Sequence, residues 1–231
     1  MKRFYAYAGV IAVDDGWQVA LDGRGIKTQG GRPQIVPSQA LAHALADEWH
    51  GQGADIDPAR FVLRDMADFA IDLIAPDRDA AITALMRFAE SDTLCYRAEA
   101  GEALHARQSE LWEPLLQAAE ARYDVHLTRI DGITHRPQPA ATLERLRAAL
   151  SAQDAFALSA LNTLASLAAS LVVGLAALEP EAEAEALWAV ANLEEDWQAD
   201  LWGKDWEAEE RRAKRLAIFT AAMDFARLAR R

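Results

Sequence analysis

Short apolar runs separated by turn residues open the chain, and apolar positions three and four apart dominate after residue 38. Residues 7–13 carry Tyr7, Val10, Ile11 and Val13 and stop at the turn sequence Asp14-Asp15-Gly16; residues 17–21 alternate and stop at Asp22-Gly23. Strand character returns at residues 26–28, breaks at Gly30-Gly31-Arg32-Pro33, and returns at Ile35 and Val36. Strands this short cannot bury a core between them, so the pattern predicts a β meander covered by a helix. Ser38 supplies the N-cap of that helix, Leu41, Ala42, Leu45, Ala46 and Trp49 its apolar stripe, and Gly51 and Gly53 its end. A second helix is expected over residues 61–74, halted by Pro76, because proline disfavours helical geometry in the residue before it.

Beyond Pro76 the pattern predicts helices over residues 77–90, 104–123, 140–150, 154–178, 180–202 and 204–230, with a short one behind a Ser91 cap that carries Leu94, Cys95 and Tyr96. Pro114 is expected to kink the 104–123 helix or to divide it. Residues 125–139 are expected to form a small hairpin or an extended loop. The chain therefore reads as α+β: a small N-terminal β-meander and helix domain at residues 1–75, then a larger all-α orthogonal helical domain at 76–231.

The segment that stands out is residues 192–205, NLEEDWQADLWGKD, where Trp197 and Trp202 sit among carboxylates just ahead of Trp206, and Gly203 offers a helix end. Drawn as one helix at about 100° per residue, Leu187, Val190, Leu193, Trp197 and Leu201 gather on one side and read as core. Trp188, Glu195, Gln198 and Trp202 gather opposite. A solvent face rarely carries two tryptophans, and a core face rarely carries a free glutamate and a glutamine. Either this helix is buried on both sides, with Glu195 paired to an arginine, or the second stripe binds a partner. Glu194 falls at the edge of the apolar stripe, where it needs a partner or a path to water.

Charge narrows the choice. The net charge is −12, and residues 179–210 hold twelve acids against one base, Lys204, whereas residues 211–231 hold seven bases against Asp224. A phosphate backbone needs a continuous basic surface, so nucleic acid is not the expected partner. Adjacent acidic and basic blocks predict an acidic helix packed antiparallel to a basic one, with the remaining acidic surface open to a basic partner. The single cysteine, Cys95, forms no intrachain disulfide and sits between Leu94 and Tyr96 without an activating histidine, as a buried structural thiol does. Residues 155–178 lack charge but carry Ser159, Asn162, Thr163, Ser166 and Ser170 at helical spacing. They read as a buried helix of a soluble bundle rather than a membrane span. The N-terminal residues 1–13 run into a strand pattern rather than a leucine-rich signal segment.

Catalytic equipment is sparse. His43, Asp47 and His50 approach metal-ligand spacing but fit a solvated helix face, and no metal or cofactor is expected. There is no GxSxG, no phosphate loop and no GxGxxG after a strand. Asp72, Asp92, Arg97 and Gln108 lie in apolar surroundings and are expected to form internal polar networks; the competing reading is a groove between the two domains serving a small-molecule enzyme through Asp92, Arg97 or Glu195.

Six motifs then come in a particular order: LDGRGIKT at residues 21–28, DEWHGQ at 47–52, FAID ending at Asp72, SDTLCYRA at 91–98, QSELWEPLL at 108–116 and EEDWQADLWG at 194–203. Together they resemble the assembly chaperone family of the F1-type ATP synthase that attends the alpha subunit, from about Phe4 to Arg212. The resemblance implies a small α+β domain followed by a helical domain. It implies a non-enzymatic holding chaperone that transiently binds the unassembled alpha subunit, covers its beta-facing surface and is displaced as the ring forms. The family motif LDE-x-x-Q-x-x-x-W-G falls on Glu195, Gln198, Trp202 and Gly203, with Glu194 where aspartate is usual. Partner binding is thus expected at Glu195, Gln198, Trp202 and Trp188. Thr28-Gln29 stands where the family has Thr-Pro. A monomer in the bacterial cytoplasm is expected, or in the mitochondrial matrix for a trimmed organellar protein.

Overall fold

A computed structural model describes residues 1–203 and 205–230. The chain forms two compact units, one of Met1–Arg78, Asp154–Ala160 and the described residues from Ala221 onward, the other of Asp79–Gln153 and Leu161–Thr220. The class is α+β, as the sequence predicts: a small N-terminal sheet followed by helices.

In the first unit, strand β1 (Ala8–Val13) turns at Asp14-Asp15 into β2 (Gly16–Leu21), and the two pair antiparallel in register from Ala8 with Leu21 to Val13 with Gly16. The other side of β2 is shared. Ala20 and Leu21 pair with β3 (Arg24–Gly25), whereas Trp17 and Gln18 pair with β4 (Ile35–Val36). Gly16 is required at the hairpin: its φ is 151°, and a Cβ there would lie 2.4 Å from the Val36 carbonyl oxygen. Helix α1 (Gln39–His50) covers β1 and β2 with Leu41, Ala42 and Leu45, and Ser38 Oγ accepts from the Leu41 N–H at 3.0 Å, so the predicted cap and stripe are both present.

The helix expected over residues 61–74 is instead α2 (Val62–Phe69) followed by a π turn at Ala70–Ile74, in which the Ala75 N–H reaches back five residues to the Ala70 carbonyl. From these turns Asp68 accepts from the Gln29 N–H (3.0 Å), and Asp72 from the Thr28 hydroxyl (2.8 Å) and the Gly30 N–H (2.7 Å). Asp72 is thus the internal network residue its setting predicts. In the same unit Ser159 Oγ donates to the Met66 carbonyl at 2.8 Å and Phe156 stacks on Phe225.

The remaining elements are α3 (Arg78–Glu90), β5 (Tyr96–Arg97), α4 (Ala103–Tyr123), β6 (Ile130–Asp131), α5 (Ala140–Ser151), α6 (Ala155–Ala168), α7 (Leu171–Ala177), α8 (Ala184–Ala191), α9 (Leu193–Trp202) and α10 (Trp206–Ala229). Several differ from expectation. Asp92, not Ser91, caps the short 3-10 turn at Thr93–Cys95, because its carboxylate accepts from the Leu94 N–H. Pro114 lies inside α4 without dividing it. Of the two forms expected for residues 125–139 the extended one is found, and β6 within it pairs in parallel with β5. Arg129 in that segment is gripped by Glu113 and Glu120 of α4. The expected helix 154–178 breaks after α6, where Ala169 turns left-handed at φ 48° and Ser170 starts α7 by accepting from the Val173 N–H at 3.0 Å. No helix among the described residues is long and apolar enough to cross a membrane. Lys204, the expected start of the last helix, lies outside the described residues.

Candidate partner-binding face

The segment predicted as one helix over residues 180–202 is two. Asn192 ends α8 by returning both its backbone N–H (3.0 Å) and its side-chain amide (2.9 Å) to the Trp188 carbonyl, and its own carbonyl then accepts from the Asp196 N–H to start α9. A single helical wheel therefore does not hold across it. Leu187 and Leu193 are buried as expected, but Leu201, placed in the core stripe, is 60% exposed, and Trp188, placed on the opposite face, is 2% exposed. The Trp188 ring packs against Phe219 with centroids 5.5 Å apart, and the Arg215 guanidinium lies 5.2 Å from its centroid. Trp188 does not present its ring at the surface.

Helix α9 reveals how its acids are used. Glu194 accepts from Gln108 Nε2 at 2.6 Å, and the same buried glutamine accepts from the Ala98 N–H at 2.8 Å. Asp196 takes a two-pronged grip from Arg212, 2.6 and 2.7 Å long. Burial pushes the Asp196 carboxyl up from its ordinary range while Arg212 pulls it down. Glu195 faces Arg215 at 3.6 Å, too long for a strong bond, and half of its side chain is open to solvent. These pairings run Glu195 to Arg215 and Asp196 to Arg212, so α9 and the first half of α10 are antiparallel across Gly203, an acidic strip against a basic one as the charge pattern predicts. The arginine expected for Glu195 is Arg215, which also donates to the Leu167 carbonyl at 3.1 Å.

Glu195, Gln198 and Trp202 are spaced i, i+3 and i+7 on α9 and share a face. Gln198 is exposed and Trp202, the last helical residue, is 79% exposed. Gly203 stops α9 at φ 94°, and just beyond it Trp206 is 72% exposed at the start of α10. Three large apolar side chains, Leu201, Trp202 and Trp206, thus stand in solvent at one corner, with Asp200, Asp205, Glu207 and Glu209 exposed on the same stretch. Tryptophan is a residue that protein interfaces are enriched in, whereas carboxylates are depleted there. Sequence spacing alone missed the exposure of Leu201, because its apolar character fits a core stripe equally well.

Of the residues weighed for catalysis, Asp92 and Arg97 are held in internal contacts. Asp92 is fully buried, accepts from the Leu94 and Val172 N–H groups, and burial pushes its carboxyl up to about 6. Arg97 donates to Glu113 at 2.5 Å. Burial pushes the Cys95 thiol up to about 12, leaving it protonated and unreactive. Among the described residues no three His, Cys, Asp or Glu side chains gather as a metal site.

The chain has a small N-terminal sheet followed by helices, and sequence comparison places it among chaperone proteins. Residues 2–120 match the family model described as ATP12 chaperone protein, and the chain belongs to that family. It is 31% identical over 206 residues to the protein atp12, mitochondrial, of Schizosaccharomyces pombe, across 83% of this chain and 70% of that one. The crystal structure of Atp12 from Paracoccus denitrificans superposes with a TM-score of 0.92 at 38% identity, covering 99% of this chain and 98% of its own. A protein from Agrobacterium tumefaciens superposes at 0.94, also 38% identical, over 99% of this chain and 86% of its own.

Proposed function

We propose that this chain is an assembly chaperone of the F1-type ATP synthase, which holds the unassembled alpha subunit through the α9–α10 corner and shields its beta-facing surface until the ring forms. The observation that carries this reading is the corner itself: Trp202 and Trp206 exposed around Gly203, beside a Glu195 whose ion pair is long and half open. An unassembled subunit exposes apolar interface that aggregates unless covered. Indoles supply that cover. A client that must later be released is best held in part by polar contacts that a competing subunit can replace, and Glu195 and Gln198 supply these. Trp188 acts from beneath by fixing Arg215. The acidic strip repels nucleic acid and favours a basic client surface. The protein works as a monomer in the bacterial cytoplasm or the mitochondrial matrix.

Co-expression of the tagged chain with the alpha and beta subunits tests this reading. The expected outcome is a complex with alpha that lacks beta; retention of beta alone contradicts it.

A further inference from the structure

We infer a second docking site in the first unit: the outer edge of β1, which takes an extended segment of the client as an added strand. The ladder fixes which groups face outward. The Asp22 N–H donates to the Tyr7 carbonyl at 2.9 Å, so Tyr7 and Asp22 are a hydrogen-bonded pair. Such pairs alternate along an antiparallel ladder. Gly9, Ile11 and Val13 therefore bond to β2, and Val10 and Ala12 turn their N–H and C=O groups away from it. The bond from the Ile26 N–H to the Val19 carbonyl on the far side of β2 obeys the same alternation. Among the described residues, strand β1 pairs only with β2 and lies at the end of the strand order. Among the described residues, no other main-chain bond reaches the outward groups of Val10 and Ala12.

The edge also lacks the devices that blunt a free strand. Residues 8–13, AGVIAV, contain no charge, no proline and no bulge. Beside them Tyr7 is 62% exposed, and its ring lies over Gly9, where an added Cβ would meet Cε1 at 2.6 Å. Ile11 is partly exposed on the same face. Donors and acceptors repeating every two residues, about 6.8 Å apart, are satisfied by extended main chain and by little else. The side-chain face calls for alternating apolar residues, and the exposed Asp14 and Asp15 at its end call for a lysine or arginine on the incoming strand. A second copy of this chain is the weaker occupant, since two six-residue strands cover far less than the roughly 800 Å² per partner of a stable interface. The identity of the client rests on the chaperone reading above; the strand chemistry does not.

Amide exchange and two variants of the full chain test the site. Ala12→Pro removes an outward donor while leaving the β1–β2 bonds in place, and Ile11→Lys puts a charge on the edge; thermal melting confirms that each folds. With the alpha subunit bound, the Val10 and Ala12 amides are expected to slow in exchange, and each variant to weaken capture by about tenfold, the weight of one or two main-chain bonds. Unchanged exchange at both amides in a complex that does form overturns the edge site and leaves the α9–α10 reading standing. Should the wild type capture no alpha subunit, the probe becomes a synthetic valine-threonine peptide with a terminal lysine. Shifts of the Val10 and Ala12 amide resonances that Ala12→Pro abolishes then support the site, and their absence overturns it. A concentration-dependent dimer that Ala12→Pro abolishes assigns the edge to a second copy and overturns the client assignment.

Discussion

Three consecutive carboxylates on α9 meet three different fates. Glu194 is tied to Gln108 and Asp196 to Arg212, whereas Glu195 keeps a loose partner and an open side. An exposed ion pair of this length contributes under about 1 kcal/mol to folding, so Glu195→Gln is expected to leave thermal melting unchanged while weakening alpha-subunit capture roughly tenfold. A lowered melting temperature instead would make Glu195 structural. Asp92 gives a prediction in pH. Its folded carboxyl sits at about 6 against an ordinary 3.8. A raised pKa means that its stabilising contribution is complete below the unfolded value and lost as pH rises through about 6. The urea stability of the native protein relative to Asp92→Asn should therefore fall by about 2 kcal/mol between pH 4 and pH 6; a parallel pair of pH profiles would refute this.

At the scale of elements, the breaks matter more than the helices. Ser170 opens α7 and Asn192 separates α8 from α9, and both use side-chain bonds that a periodicity count does not register. Ser170→Ala is expected to cost about 1–2 kcal/mol in chemical denaturation. Gly203 turns the chain at a φ that a side chain resists, so Gly203→Ala should cost about 1 kcal/mol and shift the corner that carries Trp202 and Trp206. The two tryptophans of the predicted stripe separate cleanly: Trp188→Ala should destabilise by about 3–5 kcal/mol, and Trp202→Ala should leave stability within about 0.5 kcal/mol. The loop 28–32 adds a local detail. The Gln29 N–H donates to Asp68, a bond that a proline at this position could not make.

For the whole molecule, the meander, the Ser38 cap, α1 and the antiparallel acidic and basic helices were legible, because turn residues, alternation and charge blocks are local signals. The breaks at residues 169–170 and 192, and the sharing of residues 154–160 and of those from 221 onward with the first unit, depend on contacts far apart in sequence and leave no local mark. The candidate face was half legible. Glu195, Gln198 and Trp202 do share one side of α9, but Trp188 went inward and Leu201 outward once Asn192 reset the helical phase. The most direct measurement is the affinity of purified alpha subunit for the native chain and for Trp202→Ala, with melting of both as the control. Trp202→Ala is expected to lose at least about tenfold in affinity at unchanged melting temperature, and the native complex to release alpha when beta is added. Equal affinity for both proteins would contradict it.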